Sequence, residues 1–513
     1  MNLKKNVFLR GIVSLVLVLF SLFLSTSVTK ANSPYPITGT FVMIDNFLRQ
    51  SPPQDVGVTN WVGNMHELGV DTLIMLVFSF LKADSVKVCA SGSFTVEASS
   101  SNPIYRHVIE EAKSRNMSVY FGLLGVDTTK VSQYPDSNPN SETSICARKI
   151  IDLNIQTAKD VRNWVINNYG SSFWQNNVKG FYLNEDEVSK VEYKDFIRNV
   201  ITGIKMNPDL ASKKIIISPW KREGGSYYKD FLDFYRMGVD VLAPQDGLGA
   251  RLVKTYSSNS KQFEELKRAR DDAESQGYRG KEAWANVESF DMFSFDSNYT
   301  YKPTSISTLK DRIDSSRPYV TKQITWIFQH SLTTIKELYQ MSTWNNQYNP
   351  ENAIRRQQLR NSYIATYNPS KSHVESYFVW YSNLVAKGNL GAANRGVDIG
   401  VLYIDKNGSF KTHFGKYNVY QEDKPTIYIP LSVLPGFEAS RLHVVFVNDL
   451  NYAAGALFTS DLNNDGKVDI FDYNILVSDF GKTGVAGFTK SDINKDGKVD
   501  IFDYNILVGD FGK

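Results

Sequence analysis

The chain has 513 residues, of which 42% are hydrophobic and 22% are charged, a composition that suits folded domains with sizeable cores. Its length predicts more than one domain. The net charge of +3 comes from 57 basic and 54 acidic residues, so electrostatics gives no reason to expect nucleic acid or a membrane surface as partner. Aromatic residues reach 13%, which suits either β-rich cores or stacking platforms for sugars.

Residues 1–31 have the order of a secretory signal peptide. A basic start (MNLKK) precedes a short apolar run (GIVSLVLVLFSLFL), and Ala31 ends a small, polar stretch suited to cleavage. An uncleaved membrane anchor is the alternative, because the apolar run lengthens when Val7 and Phe8 are counted. We expect a secreted, extracellular protein, with association to the cell surface as an option.

Cys89 and Cys146 are the two cysteines of the chain. In an oxidising compartment they can pair, and the sequence leaves open whether they do. Two cysteines do not suffice for a disulfide scaffold or a zinc cluster.

Strand-like and helical patterns alternate over residues 35–365. Apolar runs such as ITGTFVMI, DTLIMLVF and SVYFGLLG are followed by helical spacing, in about eight repeats. This number and the near-continuous apolar strands predict a closed (β/α)8 TIM barrel. An open doubly wound sheet is the alternative, but no glycine-rich phosphate loop follows the first strand.

Polar and acidic residues end several of these strands, where a barrel of this kind places its site. They are Asn184, Glu185, Asp186 and Glu187 after strand four, Gln245 and Asp246 after strand six, and Trp284, Asn286 and Glu288 on strand seven. Two carboxyl groups across a barrel mouth suit glycoside hydrolysis, because one protonates the leaving oxygen and the other attacks the anomeric carbon or activates water. A solvated acidic loop is the structural alternative for the cluster after strand four.

The Asn-Glu pair after strand four and the glutamate on strand seven resemble the pattern of the large clan of retaining glycoside hydrolases with TIM barrels. GTF, GFYL, LAPQDGLG and WANVESF further resemble a little-characterised bacterial barrel family grouped with those enzymes. The resemblance implies Glu185 as general acid/base and Glu288 as nucleophile, although Glu187 or Asp186 can take the place of Glu185. The residues that it implies for substrate binding are Asn184, Glu187, Gln245, Asp246, Trp284 and Asn286.

Residues 370–458 are predicted to form a small β-rich, sandwich-like domain. The runs ESYFVWYSNLV, GVDIGVLYID, PTIYIPLSVL and RLHVVFVND have strand patterns and are separated by Gly, Asn and Asp. The region is either a spacer or a sugar-binding module that uses Trp380, Tyr381 and Tyr403.

Two nearly identical segments, DLNNDGKVDIFDYNILVSDFGK and DINKDGKVDIFDYNILVGDFGK, lie near the end of the chain. Each has oxygen-bearing side chains at positions 1, 3, 5, 9 and 12 and glycine at position 6, as a calcium loop requires, and position 7 contributes its backbone carbonyl. The predicted ligands are Asp461, Asn463, Asp465, Lys467, Asp469 and Asp472 in the first loop, and Asp492, Asn494, Asp496, Lys498, Asp500 and Asp503 in the second.

Aspartate at position 12 and a helix after each loop make residues 459–513 resemble a type I dockerin module. The resemblance implies two Ca²⁺ ions, an all-α fold and a cohesin-like protein or scaffold as partner. Ile470-Phe471 and Ile501-Phe502 occupy the positions that help dockerins to select a partner, and they are apolar where small polar residues are common. The alternative is that calcium only stabilises a small domain.

The sequence therefore predicts a secreted glycoside hydrolase that acts on a poly- or oligosaccharide and docks through its tail. A non-catalytic carbohydrate-binding or surface-adhesion protein on a barrel scaffold is the alternative. A hydrolase of another class is a third possibility, for which the sequence supplies no nucleophile.

Overall fold

A computed structural model describes most of the chain, and its compact unit is Tyr35–Lys513. The described residues are 33–42, 55–76, 103–123, 140, 142–183, 191–219, 227–250, 255–292, 301–326, 350–448, 460, 462, 468, 470–484, 489, 491–493 and 497–511.

Eight parallel strands close into a barrel, which confirms the predicted TIM fold. Its strands, with a hairpin inserted after the seventh, are β1 (Ile37–Val42), β2 (Thr72–Met75), β3 (Ser118–Gly122), β4 (Val178–Leu183), β5 (Lys214–Ile217), β6 (Val241–Leu242), β7 (Glu282–Val287), the hairpin strands β8 (Phe290–Met292) and β9 (Tyr301–Pro303), and β10 (Lys322–Thr325). Strand β10 pairs with both β7 and β1, so it closes the barrel.

Helices lie between the strands and share a large apolar core with them. They are α1 (Asp55–Glu67), α2 (Pro103–Ser114), α3 (Glu142–Tyr169), α4 (Ser171–Asn176), α5 (Val191–Lys205), α6 (Tyr227–Arg236), α7 (Tyr256–Ser275), α8 (Ile306–Ser316) and α9 (Pro350–Tyr367). In α6, Tyr227, Phe231 and Phe234 recur at helical spacing and are buried. Thr255 and Ser305 cap α7 and α8 by accepting hydrogen bonds from backbone amides.

The barrel interior is filled by a separate apolar layer to which every strand contributes. This layer includes Phe41, Ile74, Tyr120, Tyr182, Ile216, Val241, Trp284 and Ile324. Because side chains alternate along a strand, the flanking Ala283 and Ala285 belong to the outer core instead. Gly180 allows β4 to approach β5, since a Cβ there would lie 1.8 Å from the backbone oxygen of Lys214.

Helix α9 contacts both the barrel and the β-rich region. The backbone amide of Ile37 in β1 donates to the Tyr363 hydroxyl at 3.2 Å, and Arg360 donates to Asn64 of α1. On the other side, Asn361 donates to the backbone oxygen of Val445 at 2.8 Å. The helix therefore serves as a buried connection rather than an open linker.

The β-rich region consists of two antiparallel sheets around a shared core, as the sandwich-like prediction requires. Its strands are β11 (His373–Trp380), β12 (Asn383–Asn389), β13 (Gly396–Ile404), β14 (Phe410–Asn418), β15 (Tyr420–Gln421), β16 (Pro425–Pro430) and β17 (His443–Val447). One sheet has the order β11-β12-β16-β15 and the other β14-β13-β17.

Two helices form the described secondary structure of the C-terminal region, α10 (Ile470–Asp479) and α11 (Ile501–Asp510). They share a small core made of Leu462, Val468, Leu476, Ile493, Val499 and Leu507. The predicted all-α module is confirmed. In the part of the chain that the structure describes, no helix has the length and apolar character needed to cross a membrane.

Candidate functional site

Two carboxyl groups meet where β6 and β7 end. Asp246 and Glu288 follow these neighbouring parallel strands, and the Glu288 amide donates to Asp246 Oδ2 at 3.1 Å. The Asp246 amide in turn donates to the backbone oxygen of Asn286 at 3.0 Å. Pairing of the two strands thus continues beyond β6 and fixes both acidic residues at the carboxyl end of the barrel.

The Glu288 side chain is fully buried against the loop after β6. Its Oε2 accepts a hydrogen bond from the Ala250 amide at 2.8 Å, whereas its Oε1 has no hydrogen-bond partner among the described residues. A Cβ on Gly249 would lie 3.0 Å from that Oε2 and 2.2 Å from the backbone oxygen of Phe290, so this position requires glycine. A buried polar atom without a partner is uncommon and calls for a functional or solvent explanation.

Arg312 of α8 supplies the positive charge next to these carboxyl groups. Its guanidinium donates to the backbone oxygens of Glu288 and Phe290 at 2.6 and 2.7 Å, and to Asp291 at 2.7 Å. Sequence reasoning missed this residue. The feature of the sequence that could have identified Arg312 is its helical spacing with Leu309, Ile313 and Ser316, all of which are buried.

Burial controls the electrostatics of the site. It raises the pKa of Glu288 well above the ordinary value of 4.5, and the negative charge of Asp246 raises it further. Burial also raises the pKa of Asp246, while Arg312 and two backbone amides oppose that shift. These contacts stabilise the ionised form of Asp246, and Glu288 has fewer of them. Of the two carboxyl groups, Glu288 therefore holds a proton more readily at neutral pH.

Asn286 and Gln245 lie beside the carboxyl pair. Asn286 is buried, its Nδ2 donates to the Ser218 hydroxyl at 2.9 Å, and its Oδ1 has no hydrogen-bond partner among the described residues. Gln245 pairs with Asn286 through an isolated parallel bridge and is half-buried. The structure therefore brings four predicted site residues together.

Trp284 lies deeper in the barrel than its predicted role in substrate binding requires. It is 4% exposed, packs edge-on against Tyr120 with ring centroids 6.0 Å apart, and donates to Glu282 at the beginning of β7. Trp284 is four residues before Glu288 along the chain. Because each pair of residues advances the chain along the strand, Trp284 lies nearer the amino-terminal end of the barrel than Glu288 does. This placement suits packing of the interior layer.

The predicted residues after β4 lie outside the described residues. They are Asn184, Glu185, Asp186 and Glu187, and β4 itself ends at Leu183.

The predicted calcium loops are described in part, and their described aspartates carry the carboxylate oxygens that Ca²⁺ prefers. Asp472, Asp492 and Asp503 are buried. In the second loop Gly497 has φ +86° and its amide donates to Asp492 Oδ2 at 3.1 Å, which is the sharp bend expected at position 6. Asp500 and Asp503 form a capping box at the beginning of α11, and Lys498 pairs with Thr483 through a backbone bridge.

Seven predicted calcium ligands lie outside the described residues. They are Asp461, Asn463, Asp465, Lys467, Asp469, Asn494 and Asp496.

Several solved structures share similarity with the chain. A protein provisionally assigned as an α-L-fucosidase from Bacteroides thetaiotaomicron is 20% identical, with a TM-score of 0.41 over 60% of this chain and 90% of that one. An intracellular xylanase from Thermoanaerobacterium saccharolyticum is 12% identical, with a TM-score of 0.34 over 59% and 89%. A GH18 chitinase from Pseudoalteromonas aurantia is also 12% identical, with a TM-score of 0.34 over 56% and 93%. No curated protein is significantly similar to the chain.

Two protein families match the sequence itself. Residues 37–336 match the family described as a domain of unknown function, DUF4434, and residues 459–510 match the type I dockerin domain. The first match covers more than half of the chain and contains the whole closed barrel. The chain therefore belongs to the DUF4434 family and ends in a type I dockerin domain.

Proposed function

We propose that the chain is a secreted glycoside hydrolase whose barrel cleaves a poly- or oligosaccharide and whose dockerin domain attaches it to a cohesin-like protein or scaffold. The observation that carries this proposal is the buried pair of Asp246 and Glu288 at the ends of adjacent strands, where barrel enzymes place their chemistry. A carboxyl group with a raised pKa in such a place can act as an acid in glycosidic cleavage.

The roles of the two predicted catalytic residues remain part of the proposal. A retaining mechanism needs one ionised nucleophile and one proton donor, and the resemblance to retaining glycoside hydrolases implies Glu288 and Glu185 for these roles. The raised pKa of Glu288 favours the protonated form, which suits the donor. Replacing each glutamate with glycine and adding azide separates the roles, because azide then attacks from the face that the missing carboxylate left vacant. The configuration of the glycosyl azide differs between a lost nucleophile and a lost acid/base.

The dockerin domain supports the docking half of the proposal. Ile470 and Phe471 begin α10, Ile501 and Phe502 begin α11, and all four side chains are exposed. Exposed apolar residues at equivalent positions of a repeat suit a partner that recognises either copy. Two Ca²⁺ ions would hold the loops that orient these helices.

Release of reducing sugar from a panel of polysaccharides tests the enzymatic half. Glu288→Gln should lower kcat about 100- to 10,000-fold, the usual contribution of a general acid or base. Glu264→Gln is the matched control, because Glu264 is exposed on α7. Equal activity of the wild type and Glu288→Gln on a cleaved polymer would contradict the assignment of the site.

A non-catalytic carbohydrate-binding protein is the second candidate. The position of Arg312 beside the pair favours it, because a buried pair whose charge is compensated can serve the fold alone. Polymer binding by the wild type without any release of sugar would favour this candidate.

A further inference from the structure

One sheet of the β-rich region has a face that is not part of its core. Leu384 and Ile429 pack inside the sandwich, whereas Phe378, Trp380, Tyr420 and Tyr428 belong to the opposite face. We call these four residues the aromatic strip. Phe378, Trp380 and Tyr420 are 45%, 51% and 49% exposed, and Tyr428 is half-buried. Exposed aromatic side chains that form one continuous patch usually mark a binding surface.

Strand pairing explains why the strip is continuous. Val385 of β12 lies directly opposite Phe378 on one side and Tyr428 on the other, and it is buried although it belongs to the outer face. Ring centroids of Trp380 and Tyr428 are 6.1 Å apart, and those of Tyr428 and Tyr420 are 5.6 Å apart. The rings of Trp380, Tyr428 and Tyr420 therefore form a row across the four-stranded sheet.

The rings of the strip are tilted relative to one another. The interplanar angle is 49° between Trp380 and Tyr428 and 71° between Tyr428 and Tyr420. A flat crystalline surface cannot contact tilted rings together, whereas a single flexible chain can turn from one ring to the next. The sequence candidate Tyr403 is not part of this face, because it is 1% exposed and donates to the backbone oxygen of Pro435.

The charged residues around the strip form ion pairs, two lysines with three carboxylates. Lys387, on the same face of β12, forms ion pairs with Glu422 and Asp423, and Lys424 pairs with Glu375. Glu422 also accepts a hydrogen bond from the Tyr428 hydroxyl. Both lysines are paired with carboxylates and one negative charge is in excess, so the strip does not attract an anionic ligand. The carboxylates and ammonium groups stand at its edge as acceptors and donors for hydroxyl groups.

We propose that the aromatic strip binds a single soluble chain of an uncharged polysaccharide. The C–H faces of sugar rings pack on aromatic rings and sugar hydroxyls bond to the paired charges. Because both lysines are paired with carboxylates, nothing in the strip attracts an anionic polymer, which favours an uncharged one. The choice of carbohydrate as the ligand class rests on the proposed function. The binding itself needs no catalytic residue, so it can be tested separately.

Affinity gel electrophoresis of the full chain tests this inference. Native gels would contain hydroxyethylcellulose, soluble xylan, galactomannan or mixed-linkage β-glucan as probes. At least one polymer should retard the wild type and Glu288→Gln equally. Trp380→Ala should bind it about tenfold more weakly, a loss that corresponds to about 1.4 kcal/mol. Trp380→Tyr should keep most of the binding, and Tyr278→Ala is the control because it removes an exposed tyrosine after α7.

Several outcomes would overturn the inference. One is that no polymer retards the wild type, and another is that Trp380→Ala and Tyr420→Ala bind as well as the wild type. Loss of binding in Glu288→Gln alone would place the binding in the barrel. Dimers of the wild type that dissociate in Trp380→Ala, seen by sedimentation, would identify a second copy of the chain as the occupant. If the proposed enzymatic activity alone is wrong, no sugar is released but the polymer still retards the protein in the gel. Tyr420→Ala provides an independent variant if Trp380→Ala does not fold.

Discussion

The barrel and the dockerin domain both bury carboxyl groups, but they compensate the buried charge from different sources. In the barrel, Arg312 of the same chain lies beside Asp246 and Glu288, and burial favours a proton on Glu288. In the dockerin domain, Asp472 and Asp503 are buried, and the proposed source of compensation is a Ca²⁺ ion from solution. The barrel should therefore respond mainly to pH, and the dockerin domain mainly to calcium.

Removal of calcium should have the largest effect and should affect one region only. The described core of the dockerin domain has six buried apolar side chains, which is too few to hold a small domain without a metal. Calorimetry of the full chain should show a separate dockerin transition in Ca²⁺ that EDTA abolishes and added Ca²⁺ restores. A dockerin transition that survives EDTA would contradict the proposed metal dependence.

Replacement of Arg312 by methionine should destabilise the barrel by about 3–5 kcal/mol, the usual cost of leaving a buried charge without its partner. Arg312 is 3% exposed, so water cannot replace the guanidinium. The measurement is unfolding in urea at neutral pH, monitored by tryptophan fluorescence.

Arg317→Met provides the matched control for this substitution. Arg317 lies five residues later, its side chain is 52% exposed, and its ion pair with Asp314 should contribute at most about 1 kcal/mol. Adding Asp246→Asn to Arg312→Met should recover part of the loss, because Asp246 is the buried carboxyl group whose negative charge Arg312 stabilises. Equal effects of the two arginine substitutions would show that the charge cluster does not depend on Arg312.

The barrel and the repeat could be predicted from sequence because both depend on patterns that recur along the chain. The hairpin at Tyr381 could not be predicted from the sequence. The run ESYFVWYSNLV was predicted as one strand, but the chain reverses after β11, with Tyr381 at φ +50° where glycine or asparagine is the usual signal. Strand β14 was missed because most of its residues are polar and partly exposed. The depth of Trp284 and the approach of Arg312 depend on contacts between elements far apart in sequence.

The pH dependence of stability should distinguish the wild type from Glu288→Gln. The pKa of Glu288 is raised in the folded state, so the folded protein binds more protons than the unfolded one between 4.5 and the raised pKa. The contribution of Glu288 to stability should therefore be fully present below about pH 4.5. It should fall as the pH rises toward the folded pKa, by about 1.4 kcal/mol for each pH unit within that interval. Measured as the melting temperature of the barrel, this decline should be smaller in Glu288→Gln. Parallel curves for the two proteins would show that Glu288 is not the titrating group.

Substitution of Gly497 should have the smallest effect and should again be confined to the dockerin domain. Its φ of +86° is unfavourable for a residue with a Cβ, and a left-handed conformation costs an alanine about 1–2 kcal/mol. Gly497→Ala should therefore weaken calcium binding about tenfold, because the strain is present only when the loop is folded around the ion. Isothermal titration of the full chain measures this change. Gly497→Asn should lose less, since asparagine tolerates the left-handed region better. If alanine and asparagine weaken binding equally, contacts of the added side chain rather than backbone strain limit the loop. The bend at position 6 would then not be the feature that makes this loop a calcium site.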